Sequence, residues 1–141
     1  MTPSAIAAKA SGRLFGPIAA AVALGCVTAY TYLRNPFEPG AFPTCLLYAS
    51  TGTYCPGCGG LRAVHQVLHG QIADAISLNA LAILVVIPVT LVALGWWMGA
   101  AAGLDWRPPR LHPAVYWGAA ALVLAFWVLR NIGPFAGYLA P

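Results

Sequence analysis

Three long apolar runs, separated by two more polar stretches, divide the chain. Residues 14–33 carry no charge and follow Lys9 and Arg13. A helix over this run rises about 30 Å, the thickness of a bilayer's hydrocarbon core. It is longer than a signal peptide's apolar segment and lacks a small-x-small cleavage site, so it reads as an uncleaved anchor behind an N-terminal tail, residues 1–13. Residues 79–103 form the second run and residues 113–129 the third. Pro88 sits inside the second and is expected to kink its helix, because it removes one backbone donor.

Between the first two runs the pattern changes twice. Pro36, Pro39 and Pro43, with Gly40 and Gly52, deny a regular helix and predict a Pro/Gly/Cys-rich loop over residues 34–58. Over residues 59–78, Leu61, Val64, Leu68, Ile72, Ala75 and Ile76 recur every three or four positions. Gln66 and Asp74 lie opposite, with Arg62, His65 and His69 nearby. This pattern predicts an amphipathic helix lying in the membrane interface. Residues 104–112 form a short polar loop that makes the last two spans an antiparallel hairpin, and residues 130–141 are a C-terminal tail. Trp96, Trp97 and Trp106 fall near one membrane face, as an aromatic belt would. The expected fold is all-α: an integral membrane protein with three transmembrane helices plus one interfacial amphipathic helix.

Composition sharpens this picture. Of 141 residues 60% are hydrophobic, and seven basic and three acidic side chains stand where a soluble domain would carry roughly 35 charges. Mean hydropathy is +0.77. A soluble globular enzyme is excluded as the default, and the scattered basic residues make no patch for nucleic acid. Membrane lipids are the expected partners. Gly95, Gly99 and Gly103, spaced every four residues, open a helix-packing face for the chain's own third span, for another membrane protein or for a second copy. Counting basic residues near the spans puts Lys9, Arg13, Arg107 and Arg110 inside against Arg34, Arg62 and Arg130 outside. The expectation is a multi-pass protein of the cell membrane with a cytoplasmic N-terminus and the cysteine loop on the outer face, where disulfides persist.

The chemistry is concentrated in Cys55-Pro56-Gly57-Cys58-Gly59-Gly60. A C-x-x-C spacing in a tight turn brings two sulfurs within reach of one metal ion or of each other. A following helix start stabilises a thiolate, and Cys58 is best placed for it. At 100° per residue Cys58, Arg62, His65 and His69 fall within about 60° of one another. Cys45 can fold back across the flexible loop, so Cys45, Cys55, Cys58 and His65 make a candidate Cys₃His set, for which zinc is the preferred structural metal. The same cysteines allow a disulfide, plain packing, or a redox pair of Cys55 and Cys58. Arg62 is expected to reach a lipid phosphate or another anion, or to cap the cysteine turn. Glu38, Asp74 and Asp105 are the only carboxylates, which supplies paired acid–base catalysis poorly. No H-E-x-x-H, phosphate-binding glycine loop or nucleophile elbow occurs. The leading reading is a non-enzymatic or accessory membrane protein with a cysteine-stabilised loop. The alternative is a membrane thiol–disulfide or metal-handling protein.

Thr44-Cys45, then Tyr54-Cys55-Pro56-Gly57-Cys58-Gly59-Gly60-Leu61-Arg62-Ala63, then Leu68-His69-Gly70-Gln71 and Asn79-Ala80-Leu81 resemble the small bacterial membrane proteins of domain of unknown function 2752 (DUF2752). The resemblance extends from about Thr44 to Pro88, and Cys-Pro-x-Cys-Gly is its most specific part. Leu61 and Ala80 stand where that family usually has threonine and proline. The resemblance implies a membrane protein in which Cys45, Cys55, Cys58 and Arg62 matter, and it implies no particular reaction.

Overall fold

The first apolar run continues a helix that starts well before it. In the computed structural model, which describes the backbone of residues 3–105 and 110–133 and side chains from residue 13 onward, helix α1 spans Pro3–Leu33. Most of the expected tail over residues 1–13 is therefore helical. Every regular element among the described residues is a helix: α2 Leu46–Thr51, α3 Gly60–Leu68, α4 Ile72–Leu81, a π-helical turn Ala82–Val86, α5 Ile87–Ala101 and α6 Pro113–Leu129. Trp106, Arg107, Pro108 and Pro109 of the expected polar loop, and the tail from residue 134, lie outside the described residues.

Two expected boundaries are corrected. The loop over residues 34–58 contains α2. The amphipathic helix expected over residues 59–78 is two helices, because the chain turns at Gly70 and Gln71 after α3 has ended. α3 alone carries the amphipathic pattern. α4 instead leads into the second apolar run, and Asn79 breaks its backbone with φ −161° and ψ 86°. There Asn79 Oδ1 accepts the Ala82 N–H at 2.9 Å, so an asparagine outside helical geometry caps the helix that follows. The π-helical turn then widens the backbone immediately before Pro88, whose absent N–H breaks the regular ladder.

Two helical stretches, Arg13–Leu33 with 21 residues and Ile72–Ala101 with 30, are long and apolar enough to cross a membrane. α6 is apolar but has 17 residues, about 25 Å of rise. Large apolar side chains on these helices face outward: Phe15 is 76% exposed and Trp117 77%. Such a surface suits hydrocarbon rather than water.

Most of the buried interior lies at one end of the helices, with Pro17 of α1 buried apart from it. Ala63, Ala75 and Leu81 are buried there together with Thr31, Asn79 and Arg130. α3 packs on α4, while α1 packs on both α3 and α5. At Gly16 of α1 a Cβ would stand 3.0 Å from Trp97 Cζ2, so α1 and α5 approach where α1 has no side chain. Of the expected packing face, two positions are described in full. Gly95 faces open space, and Gly103 lies beyond the end of α5 with φ +89°, where it stops the helix.

Candidate metal centre

Three cysteines from two chain segments converge at this buried end. Cys45 precedes the first turn of α2, and Ala49 N–H donates back to its carbonyl at 2.9 Å. Cys55 to Cys58 form a reverse turn closed by Cys58 N–H donating to Cys55 O at 3.1 Å, with Pro56 at the corner that favours its fixed φ. Gly59 follows with φ +78°, a conformation strained for any L side chain, and starts α3. The Sγ atoms of Cys45, Cys55 and Cys58 all lie within 4.8 Å of one another. Cys55 Sγ and Cys58 Sγ are 3.1 Å apart, and Cys55 N–H donates to Cys58 Sγ at 3.2 Å. All four cysteines are free thiols, and Cys26 is exposed on α1, apart from the cluster.

The reverse side of the turn rests on polar groups from distant parts of the chain. Asn79 Nδ2 donates to Pro56 O and Cys58 O, each at 3.0 Å. Arg130, just past α6, donates from Nη1 to Cys55 O at 3.0 Å, Pro56 O at 3.3 Å and Cys58 O at 3.1 Å. Asn131 pairs with both backbone groups of Tyr54, accepting its N–H at 2.8 Å and donating to its carbonyl at 2.9 Å. Arg130 is fully buried, yet its Nε and Nη2 have no hydrogen-bond partner among the described residues. The guanidinium lies 5.1 Å from the Phe126 ring and 5.9 Å from Tyr54, which offsets part of its desolvation. Burial pulls its pKa below the ordinary arginine value, and the nearby Cys58 and Cys55 thiols oppose that shift. An arginine so placed calls for negative charge, and thiolates are the available source.

The electrostatics lower the thiol of Cys45 and raise that of Cys58, the reverse of the expectation from the helix start. Backbone N–H donation from Tyr48, then hydrogen bonds from Cys58 and Cys55, bring the Cys45 thiol down to about 7. Burial, and then donation of its proton toward Cys55 and Cys45, push Cys58 up to about 12. A thiolate is the nucleophile, so alkylation of metal-free protein is expected to label Cys45 first. Its rate rises through about pH 7, while Cys58 stays unmodified until far more alkaline pH. Peptide mapping of labelled protein across a pH series checks this; faster labelling of Cys58 at neutral pH would reverse the assignment.

His65 is not part of the cluster. Its Nδ1 lies 2.7 Å from Thr31 O, one of the carbonyls that the end of α1 leaves without a helical donor. The expected Cys₃His set is therefore a Cys₃ set, because α1 draws the imidazole away from the sulfurs. His69 stacks on Tyr32 at 4.8 Å. Arg62 neither caps the cysteine turn nor is free along its whole length: Nε donates to Pro36 O at 3.3 Å and the guanidinium lies over Phe37 at 5.5 Å.

In front of the sulfurs lies a cavity of about 590 Å³. All three cysteines line it, and Phe37, Glu38, Tyr48 and Arg62 form part of its wall.

Sequence reasoning misses Arg130 and Asn131. An arginine and an asparagine directly after a charge-free apolar helix were the available signal, in a chain with seven basic residues in all. Residues 45–94 match the family described as Protein of unknown function (DUF2752), which bears out the resemblance carried by the Cys-Pro-Gly-Cys-Gly motif. Nothing among curated proteins or solved structures matches the chain.

Proposed function

From residues 45–94 as a segment of the DUF2752 family, we propose that the protein is a membrane-embedded metal-binding protein. Cys45, Cys55 and Cys58 hold one divalent, thiophilic ion as thiolates, and zinc is the first candidate. The observation that carries this reading is the convergence of three sulfurs within 4.8 Å. Three thiolates around a divalent ion leave one negative charge, and the buried Arg130 supplies one positive charge behind it. Three protein ligands with a fourth position open is a pattern zinc adopts where it does more than hold a fold. The reading is tested by elemental mass spectrometry on untagged protein purified in detergent without chelators. About one metal ion per chain is expected, lost in Cys55→Ser and in Cys58→Ser. Metal-free wild-type protein that takes up neither Zn²⁺ nor Co²⁺ would overturn it.

A second reading, a thiol–disulfide pair, is favoured by the 3.1 Å contact between Cys55 and Cys58. Oxidation would release two protons and two electrons to a disulfide-bearing partner, and would lower the intact mass by about 2 Da.

We infer three membrane crossings. α1 ends beside the helix that starts at the cysteine turn, α4 meets that turn through Asn79 near its own end, α5 leads away from it, and α6 finishes on it through Arg130 and Asn131. If the two longer helices cross, α6 must return across the same layer. The buried Arg130 no longer counts among charges facing lipid headgroups. Four basic residues near one face then stand against Arg34 and Arg62 near the other, which favours a cytoplasmic N-terminus and a cysteine site at the outer face.

A further inference from the structure

The metal position proposed above has three protein ligands and a cavity where the fourth would stand. Among the described residues no histidine or carboxylate joins the sulfurs, and His65 is held by Thr31 O at 2.7 Å. The open side has room for a small molecule in place of water. Its volume of about 590 Å³ compares with roughly 30 Å³ for each water in the liquid, and it lies within the range of small-molecule sites.

One wall of this cavity carries an oriented cation. Arg62 is fixed twice, by its Nε bond to Pro36 O and by Phe37 beneath the guanidinium. Its two terminal nitrogens have no protein hydrogen-bond partner among the described residues. A guanidinium anchored at Nε and free at both terminal amino groups presents a fork that matches a carboxylate. Aromatic Phe37, Phe42 and Tyr48 supply apolar wall around it. The three cysteines and Arg62 line the same cavity, with Glu38 also on its wall.

We propose that this chamber binds a small thiol that bears a carboxylate, its sulfur completing the coordination of the ion and its carboxylate lying on Arg62. This rests on the metal reading above and specifies the ligand class of that same site. Binding is ligand exchange: the thiol loses its proton to solvent, its sulfur bonds to the metal, and the water occupying that position leaves. No electron is transferred.

The test uses full-length protein in detergent loaded with Co²⁺, whose visible absorption reports the fourth ligand. The probes are 3-mercaptopropionate and 2-mercaptoethanol, which differ in having a carboxylate or a hydroxyl. Both are expected to shift the Co²⁺ spectrum, with 3-mercaptopropionate binding at least about tenfold tighter. In Arg62→Gln the two affinities become equal while Co²⁺ uptake persists, and Arg62→Lys keeps part of the difference. Chelation of Co²⁺ by the carboxylate itself would instead leave the preference intact in Arg62→Gln and overturn the role of Arg62. Bound Co²⁺ with a spectrum unmoved by either thiol means a closed fourth position and overturns the inference alone. Failure to bind Co²⁺ or Zn²⁺ at all overturns the metal reading together with it.

Discussion

Arg130→Met is expected to weaken binding of a divalent metal by about 10–100-fold while changing the stability of metal-free protein little. The asymmetry follows from what else holds the cysteine turn. Cys55 O also accepts the Cys58 N–H, and Pro56 O and Cys58 O also accept Asn79 Nδ2. Removing Nη1 therefore leaves no carbonyl of the turn without a donor. With neutral thiols Arg130 is a buried cation with two nitrogens unpaired among the described residues, and exchanging such a charge for an apolar side chain of similar length costs little. With thiolates and a metal in place, the same exchange leaves the centre's negative charge uncompensated at low dielectric. Competition against a chromophoric chelator gives the affinity, and thermal unfolding of metal-free protein in detergent gives the stability. A large loss of metal-free stability with unchanged affinity would make Arg130 a structural peg only.

Asn79→Ala is expected to act in the opposite way, destabilising the fold by about 2–4 kcal/mol. Asn79 is almost fully buried and makes three bonds: two donations to the cysteine turn and the cap on Ala82. Alanine removes all three, and its high helix propensity favours running α4 straight through the break. Asn79→Asp separates the roles. Its carboxylate still accepts from Ala82 but can no longer donate to Pro56 O or Cys58 O. It also places a negative charge beside the turn that Arg130 supports, so it competes with the thiolates for that cation. The alanine variant should lose stability, and the aspartate variant should lose metal affinity. Denaturant unfolding with parallel metal titration reads both, and a wild-type unfolding midpoint for Asn79→Ala would remove the capping role.

The parts of the site that lie close in the chain were legible in the sequence. The spacing of Cys55 and Cys58, the glycine after them and the flexible loop back to Cys45 are local, and they place three sulfurs together. The assignment of His65 failed because helical spacing says which face a side chain occupies and nothing about a competing acceptor. Here Thr31 O, 34 positions earlier, took the ring. The low-pKa assignment failed for a related reason: the helix dipole favours a thiolate at Cys58, but burial outweighs it and the proton moves toward the other two thiols. Arg130 and Asn131 stand out after an apolar helix, but their partner was illegible because no periodicity links the end of α6 to a turn more than 70 positions earlier. The spacing of Gly95, Gly99 and Gly103 does not say which residue ends the helix, and Gly103 falls beyond the last residue of α5.

The attachment of α6 bears on how the protein is made. Among its described residues it holds the cysteine turn through Asn131 and Arg130, partners 72 to 77 positions away in the chain. During synthesis the three clustered cysteines leave the ribosome long before those two residues do. The turn then stands without its rear support until Arg130 and Asn131 have been made. On the metal reading proposed above, the ligands are made first and their support arrives last, so metal loading would report that α6 has docked.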